Sequence, residues 1–199
     1  MTDKQLAQLC ADLYSAPSPA CIGGIVYSVT DGAICCRGSQ TADDWLQDFD
    51  AIPVWTPIGM VHSGFWSGMQ ALYATVKPLA TQPLILTGHS LGGAHARLLA
   101  GLFALDGIPF ELVTFAAPRP AWANLRRIVE KSGMKHRNYR FREDPVPMVA
   151  PFPYEPTEDY IVLDDGPGDP TNLDPLRDHS ILNYLRCLPD VLSTATPSA

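Results

Sequence analysis

Hydrophobic positions along this chain repeat with two periods, and the switches between them divide it into short elements. Leu6, Leu9, Cys10 and Leu13 recur at helical spacing, so residues 3–14 predict an amphipathic helix with Thr2 as its N-cap. Residues 25–30 and 33–36 flank Asp31-Gly32, the signal of a two-residue hairpin. Residues 41–50, TADDWLQDFD, predict a short helix whose positive first turn holds Asp43 and Asp44. Pro53, Pro57 and Gly59 interrupt the apolar stretch 51–60, which reads as an extended crossing segment. Phe65, Met69, Leu72, Tyr73 and Val76 predict a helix that opens at 61–65 and ends near Pro78.

The next stretch organises the rest. Leu84-Ile85-Leu86 is too short for a helix and reads as a buried strand. A tight turn, Gly88-His89-Ser90-Leu91-Gly92, leads into a mostly apolar run to Leu105, stopped by Asp106-Gly107 as a buried helix would be. Further strands are expected at 110–115, 136–142 and 160–163, and helices at 121–132 and 181–188. Between them lie a proline-rich loop, 145–156, and an acidic Gly/Pro loop, 164–178. Strands alternating with helices predict one α/β domain over residues 1–199, a single mostly parallel central sheet flanked by helices.

Strand, G-x-S-x-G and helix together form the nucleophile-elbow pattern of α/β-hydrolases. The serine sits on strained backbone at the tip of the turn, and a Cβ at Gly88 or Gly92 would collide with the neighbouring strand or helix. A serine hydroxyl is a poor nucleophile at neutral pH. It needs a base within hydrogen-bond reach and an acid to orient that base. On this architecture the partners follow in the order Ser, Asp or Glu, His. His95 lies within the elbow helix and His136 starts a strand, which leaves His179, in a loop before the last helix, as the base. Asp144 fits the acid, at the carboxyl end of the strand HRNYRFR. Glu143 should point the other way if the strand's alternation persists. The oxyanion needs two donors. The N–H of Leu91 follows the nucleophile, and Ser39, at the end of ICCRGS, lies in a loop after an earlier strand.

Composition narrows the classes. The net charge of −7 over 199 residues, with no Lys/Arg run, argues against nucleic acid as a partner. No apolar run approaches a membrane span. The polar start Met1-Thr2-Asp3-Lys4-Gln5 lacks a signal-peptide pattern, so the expectation is a cytoplasmic protein, or one released without a recognisable signal peptide. The five cysteines, with no C-x-x-C, read as reduced, buried thiols. No cofactor or metal is called for: Cys and His are not paired at zinc spacing, and residues 164–174 lack the EF-hand spacing and terminal Glu.

From Ile25 to Tyr184 the chain resembles the class 3 lipases, the family of filamentous-fungal triacylglycerol lipases, feruloyl esterases and plant phospholipases. Arg37-Gly38-Ser39 resembles its oxyanion loop R-G-[ST], with Cys36 where an aromatic residue is common. Asp44-Trp45-Leu46 and Pro53-Val54 resemble its lid segment, and Val61-His62-x-Gly64-Phe65 its V-H-x-G-F. Gly88–Gly93 matches G-H-S-L-G-G, and Thr114-Phe115 with Pro118-Arg119 matches T-F-G-x-P-R, Ala116 replacing the usual Gly. Asp144-Pro145-Val146-Pro147 matches D-x-V-P, and His179 with Tyr184 resembles a widened H-x-x-Y. The interval from Asp144 to His179 is short for the family. In this setting His89 reads as structural, facing away across the turn to satisfy a backbone group, and His62 as a buttress of the core near the elbow.

The resemblance implies a serine carboxylester hydrolase acting on glycerides or other lipid esters at an oil–water interface, without nucleic acid or cofactor. The alternatives are a soluble short-chain or feruloyl-type esterase with a fixed lid, an acyltransferase using the same acyl-enzyme, and a non-catalytic interaction module. Residues 39–60 are the candidate lid. Trp45, Leu46 and Phe49 form one apolar stripe on the 41–50 helix and, with Trp55, are candidates for lid or acyl contacts. Exposing the three stripe residues to water costs at most about 5–9 kcal/mol, enough to keep a lid mostly shut.

Overall fold

The computed structural model describes residues 1–39, 52–166 and 176–190. Helix α1 (Asp3–Ser15) starts in a capping box: the Thr2 side chain accepts from the Gln5 N–H, and the Gln5 side chain accepts from the Thr2 N–H. Strands β1 (Ala20–Ile22), β2 (Ile25–Thr30) and β3 (Ala33–Cys36) form an antiparallel meander, with the hairpin turn at Asp31-Gly32. β4 (Pro53–Thr56) and β5 (Gly59–His62) pair with each other in a separate sheet. Helices α2 (Ser63–Trp66) and α3 (Met69–Val76) lead to β6 (Leu84–His89) and the elbow helix α4 (Leu91–Leu105). β7 (Phe110–Phe115), α5 (Ala123–Ser132), β8 (His136–Phe141), β9 (Tyr160–Leu163) and α6 (Ile181–Cys187) complete the described elements.

The main sheet has the order β1-β2-β3-β6-β7-β8-β9, parallel from β3 to β9. Its central strands β3, β6 and β7 bury both faces, because side chains alternate with period two between two apolar layers. Ile34, Cys36, Phe110 and Leu112 face one layer with Phe103 of α4 and Leu72 of α3. Ala33, Cys35, Val113 and Phe115 face the other, with Leu6 and Cys10 of α1 and Tyr184 of α6. This is the mostly parallel sheet between helices that the alternation predicts. Among the described residues no helix is long and apolar enough to cross a membrane.

Four details differ from the sequence reading. The stretch 51–60 does not cross as a bare extended segment. Pro53 opens β4, Pro57-Ile58 make the connection, and Gly59, at φ 101°, opens β5. Proline needs no ladder donor at a strand's first residue or in a turn, so its presence did not exclude a hairpin. The single helix expected over 61–76 is two, because Gly68 takes φ 78° and breaks the run. β1, three residues long, carried no periodic signal. Cys10, Cys35 and Cys36 are buried, but Cys21 is exposed and Cys187 half-buried, so the thiols are not uniformly core residues.

Candidate active site

The elbow forms where β6 must turn into α4 without room for side chains. A Cβ at Gly88 would lie 2.3 Å from the Gly92 carbonyl oxygen, and one at Gly92 would lie 2.0 Å from that of Cys36 on β3. Helix and strand therefore approach to a distance only glycine permits. Ser90 between them is held at φ 57°, ψ −130°, a conformation costing about 1–3 kcal/mol for a residue with a Cβ. Its N–H donates to the Phe115 carbonyl at 3.0 Å, tying the tip to the end of β7.

Three side chains meet at this tip. Ser90 Oγ lies 2.9 Å from His179 Nε2, and His179 Nδ1 lies 3.0 and 3.1 Å from the two oxygens of Asp144. A carboxylate only accepts, so the imidazole carries its proton on Nδ1 and Nε2 accepts from the serine hydroxyl. All three residues are buried. Asp144 follows β8 in a turn closed by its own N–H on the Phe141 carbonyl at 2.9 Å. Its Oδ1 accepts from the Val146 N–H at 3.0 Å, where Pro145 and Pro147 fix the backbone. Glu143 turns to solvent and pairs with Arg140 at 3.2 Å. His179 ends a single 3₁₀ turn, Arg177–His179.

One contact to the acid was not read from the sequence. Tyr184, on the first turn of α6, donates to Asp144 Oδ2 at 2.8 Å and accepts from the Phe141 N–H at 3.0 Å. Burial, and then the neighbouring carboxylate, push its phenol well above the ordinary range, so it remains a donor. The His179–Tyr184 resemblance pointed to this residue, but the wider gap hid its register.

The loop after β3 reaches the same tip. A Cβ on Gly38 would lie 3.0 Å from Ser90 Cβ, so the backbone leading to half-buried Ser39 passes directly beside Ser90. Leu91 is the first residue of α4, where the helix's own carbonyls leave N–H groups unpaired. His89 turns away from the serine and reaches the His179 carbonyl through Nε2 at 2.8 Å, a backbone partner as expected. His62 caps α2 by accepting from the Phe65 N–H at 3.3 Å and stacks on the Phe65 ring.

Of the candidate lid, residues 40–51 lie outside the described residues, and with them Trp45, Leu46 and Phe49. The rest, 52–60, belongs largely to the β4–β5 hairpin, which hydrogen bonds to the body through Trp122 N–H to the Met60 carbonyl and His62 N–H to the Pro120 carbonyl. Trp55 stands 72 % exposed on β4. Among the described residues no cluster of His, Cys, Asp or Glu is arranged to hold a metal ion.

The family model for lipase (class 3) matches residues 33–154. The secreted mono- and diacylglycerol lipase 1 of Fusarium solani is 32 % identical over 165 residues, covering 72 % of this chain and 48 % of that protein. Among solved structures, the Rhizomucor miehei lipase propeptide complex aligns with a TM-score of 0.67 at 21 % identity, over 81 % of this chain and 67 % of that one. A triacylglycerol lipase whose catalytic centre is a serine-protease triad aligns at 0.66 and 19 % identity, over 92 % and 91 %. At these identities the structures establish the α/β-hydrolase fold. The chain spans about half the length of the curated relatives it matches. The expectation of a cytoplasmic protein is overturned, because the Fusarium relative is named as secreted.

Proposed function

The chain belongs to the class 3 lipase family, and on that premise we propose that it is a serine carboxylester hydrolase acting on lipid esters through Ser90, His179 and Asp144. One observation carries the reading: the unbroken run of hydrogen bonds from Ser90 Oγ through His179 to Asp144, at 2.9 to 3.1 Å. Ser90 Oγ attacks the ester carbonyl as its proton moves to His179 Nε2. Asp144 stabilises the imidazolium through the Nδ1–H bond. The oxyanion is received by the N–H of Leu91, at the positive end of α4, and by Ser39. His179 then protonates the leaving alkoxide, and the acyl group stays on Ser90. Water repeats the cycle, giving its proton to Nε2 and releasing the acid.

The substrate proposed is a neutral glyceride presented at a surface. It is supported by the relatives named as mono- and diacylglycerol and triacylglycerol lipases, and by the net charge of −7, which disfavours anionic membranes. Residues 39–60 are proposed as the lid region, whose described stretch, 52–60, lies largely in the β4–β5 hairpin.

Ser90→Ala tests the chemistry. It should stay folded and lose about 10⁴-fold or more in kcat, and a fluorophosphonate should label the native protein at Ser90 alone. A folded Ser90→Ala protein with near-native turnover ends the reading. A chain-length series of p-nitrophenyl esters beside a glyceride emulsion separates lipase from soluble esterase, and no turnover of any ester leaves the non-catalytic module.

A further inference from the structure

His179 is held twice by consecutive residues. Ser90 meets its ring, and His89 meets its main-chain carbonyl at 2.8 Å, the two imidazoles lying 4.7 Å apart between centroids. The second grip needs a particular proton. A carbonyl only accepts, so His89 Nε2 must carry the hydrogen. Burial, and then the nearby His179, push His89 well below the ordinary imidazole range, so the ring is neutral and Nδ1 is left with a bare lone pair.

Tyr14, on the last turn of α1, supplies what that lone pair requires. Its hydroxyl lies 2.9 Å from His89 Nδ1 and donates to it. Burial holds the phenol above its usual range, so the proton is there to give. The donors therefore point one way, from Tyr14 to His89 and from His89 to the His179 carbonyl. With the opposite tautomer, His89 would aim an unprotonated Nε2 at a carbonyl oxygen, lone pair against lone pair.

We propose that Tyr14 is a positioning residue that fixes the His89 tautomer, so that His89 pins the backbone of the catalytic base and keeps its ring on Ser90. The proposal rests on the hydrolase reading above. Tyr14 precedes the segment matched to the family, and its role comes from the contact of α1 with the elbow.

Tyr14→Phe keeps the ring and removes only the hydroxyl. We expect kcat on p-nitrophenyl butyrate, and the rate of fluorophosphonate labelling, to fall together by about tenfold with KM within about twofold, since the defect lies in aligning the base. His89→Gln, whose amide N–H reaches the same carbonyl, should retain most of the activity that His89→Leu loses. In ¹⁵N-histidine spectra of the resting native protein, His89 should show a protonated Nε2, with the signal moving toward mixed tautomers in Tyr14→Phe. An unchanged kcat in Tyr14→Phe, equal losses in His89→Gln and His89→Leu, or a native His89 protonated on Nδ1 would each overturn the proposal. The tautomer is read without turnover, so a failure here is distinct from a failure of Ser90 to carry the chemistry.

Discussion

Replacing Asp144 by asparagine should disable the base while leaving its position almost untouched. The Asp144 carboxylate accepts from Val146 N–H on Oδ1 and from Tyr184 on Oδ2, and faces His179 Nδ1 with both oxygens. A backbone N–H can only donate, so the asparagine must keep its oxygen toward Val146. Its NH₂ then takes the place of Oδ2, which lies 3.0 Å from His179 Nδ1. An amide N–H there donates to Nδ1, and the neutral ring moves its proton to Nε2, facing Ser90 Oγ. In that tautomer the base has no lone pair to receive the serine proton, and no carboxylate steadies an imidazolium. The expected loss in kcat is about 10⁴-fold, ~5.4 kcal/mol of transition-state stabilisation. Steady-state hydrolysis of p-nitrophenyl butyrate reads it directly, with circular dichroism to establish folding. Glu143→Gln, on an exposed side chain paired with Arg140, should stay within about twofold. An Asp144→Asn protein within tenfold of native activity, or a Glu143→Gln protein the more impaired of the two, would refute the argument.

Other outcomes follow from the same contacts. Tyr184→Phe removes a donor to Asp144 and strands the buried Phe141 N–H, so urea denaturation should show a loss of about 1–3 kcal/mol, with a smaller fall in kcat than Asp144→Asn. Burial lowers His95 from its ordinary 6.5 to about 4. The unfolded chain therefore binds a proton that the folded one refuses, and stability falls as pH drops from 6.5 toward 4, by about 3 kcal/mol for this residue. His95→Leu should flatten urea midpoints between pH 7 and pH 4.5, and an unchanged slope would remove His95 as the cause. Rate on a medium-chain glyceride should jump as the substrate passes its solubility limit. Trp45→Asp should weaken that jump while sparing soluble butyrate esters, and a smooth hyperbola through the limit would leave a fixed lid.

The sequence by itself determined the elements whose signals are local. Gly88-His89-Ser90-Leu91-Gly92 between an apolar strand and an apolar helix specifies a strained elbow, because a Cβ at Gly88 would strike the Gly92 carbonyl within the same turn. The chain order of Ser90, Asp144 and His179 then singled out the side chains that the fold brings together; Glu143 turns outward as expected, but through the turn after β8, which ends at Phe141, and not through strand alternation. The Asp31-Gly32 turn signal likewise gave the 25–36 hairpin, and the lengths of the apolar runs with the Asp106-Gly107 stop gave the buried strand and the long elbow helix.

What the tertiary structure decided was every contact between distant, individually ordinary residues. Tyr14 looks like one more side chain on an amphipathic helix until the fold sets α1 against the elbow, 75 positions away in the chain, and its hydroxyl meets His89. The register of Tyr184 depends on where α6 begins after His179, which spacing alone left open. The 53–62 hairpin was hidden because proline and glycine mark turns and breaks with the same letters, and only pairing across β4 and β5 distinguishes them. Hydrogen bonds at such separations are set by how layers dock, and a one-dimensional pattern records which face is buried without recording what it is buried against.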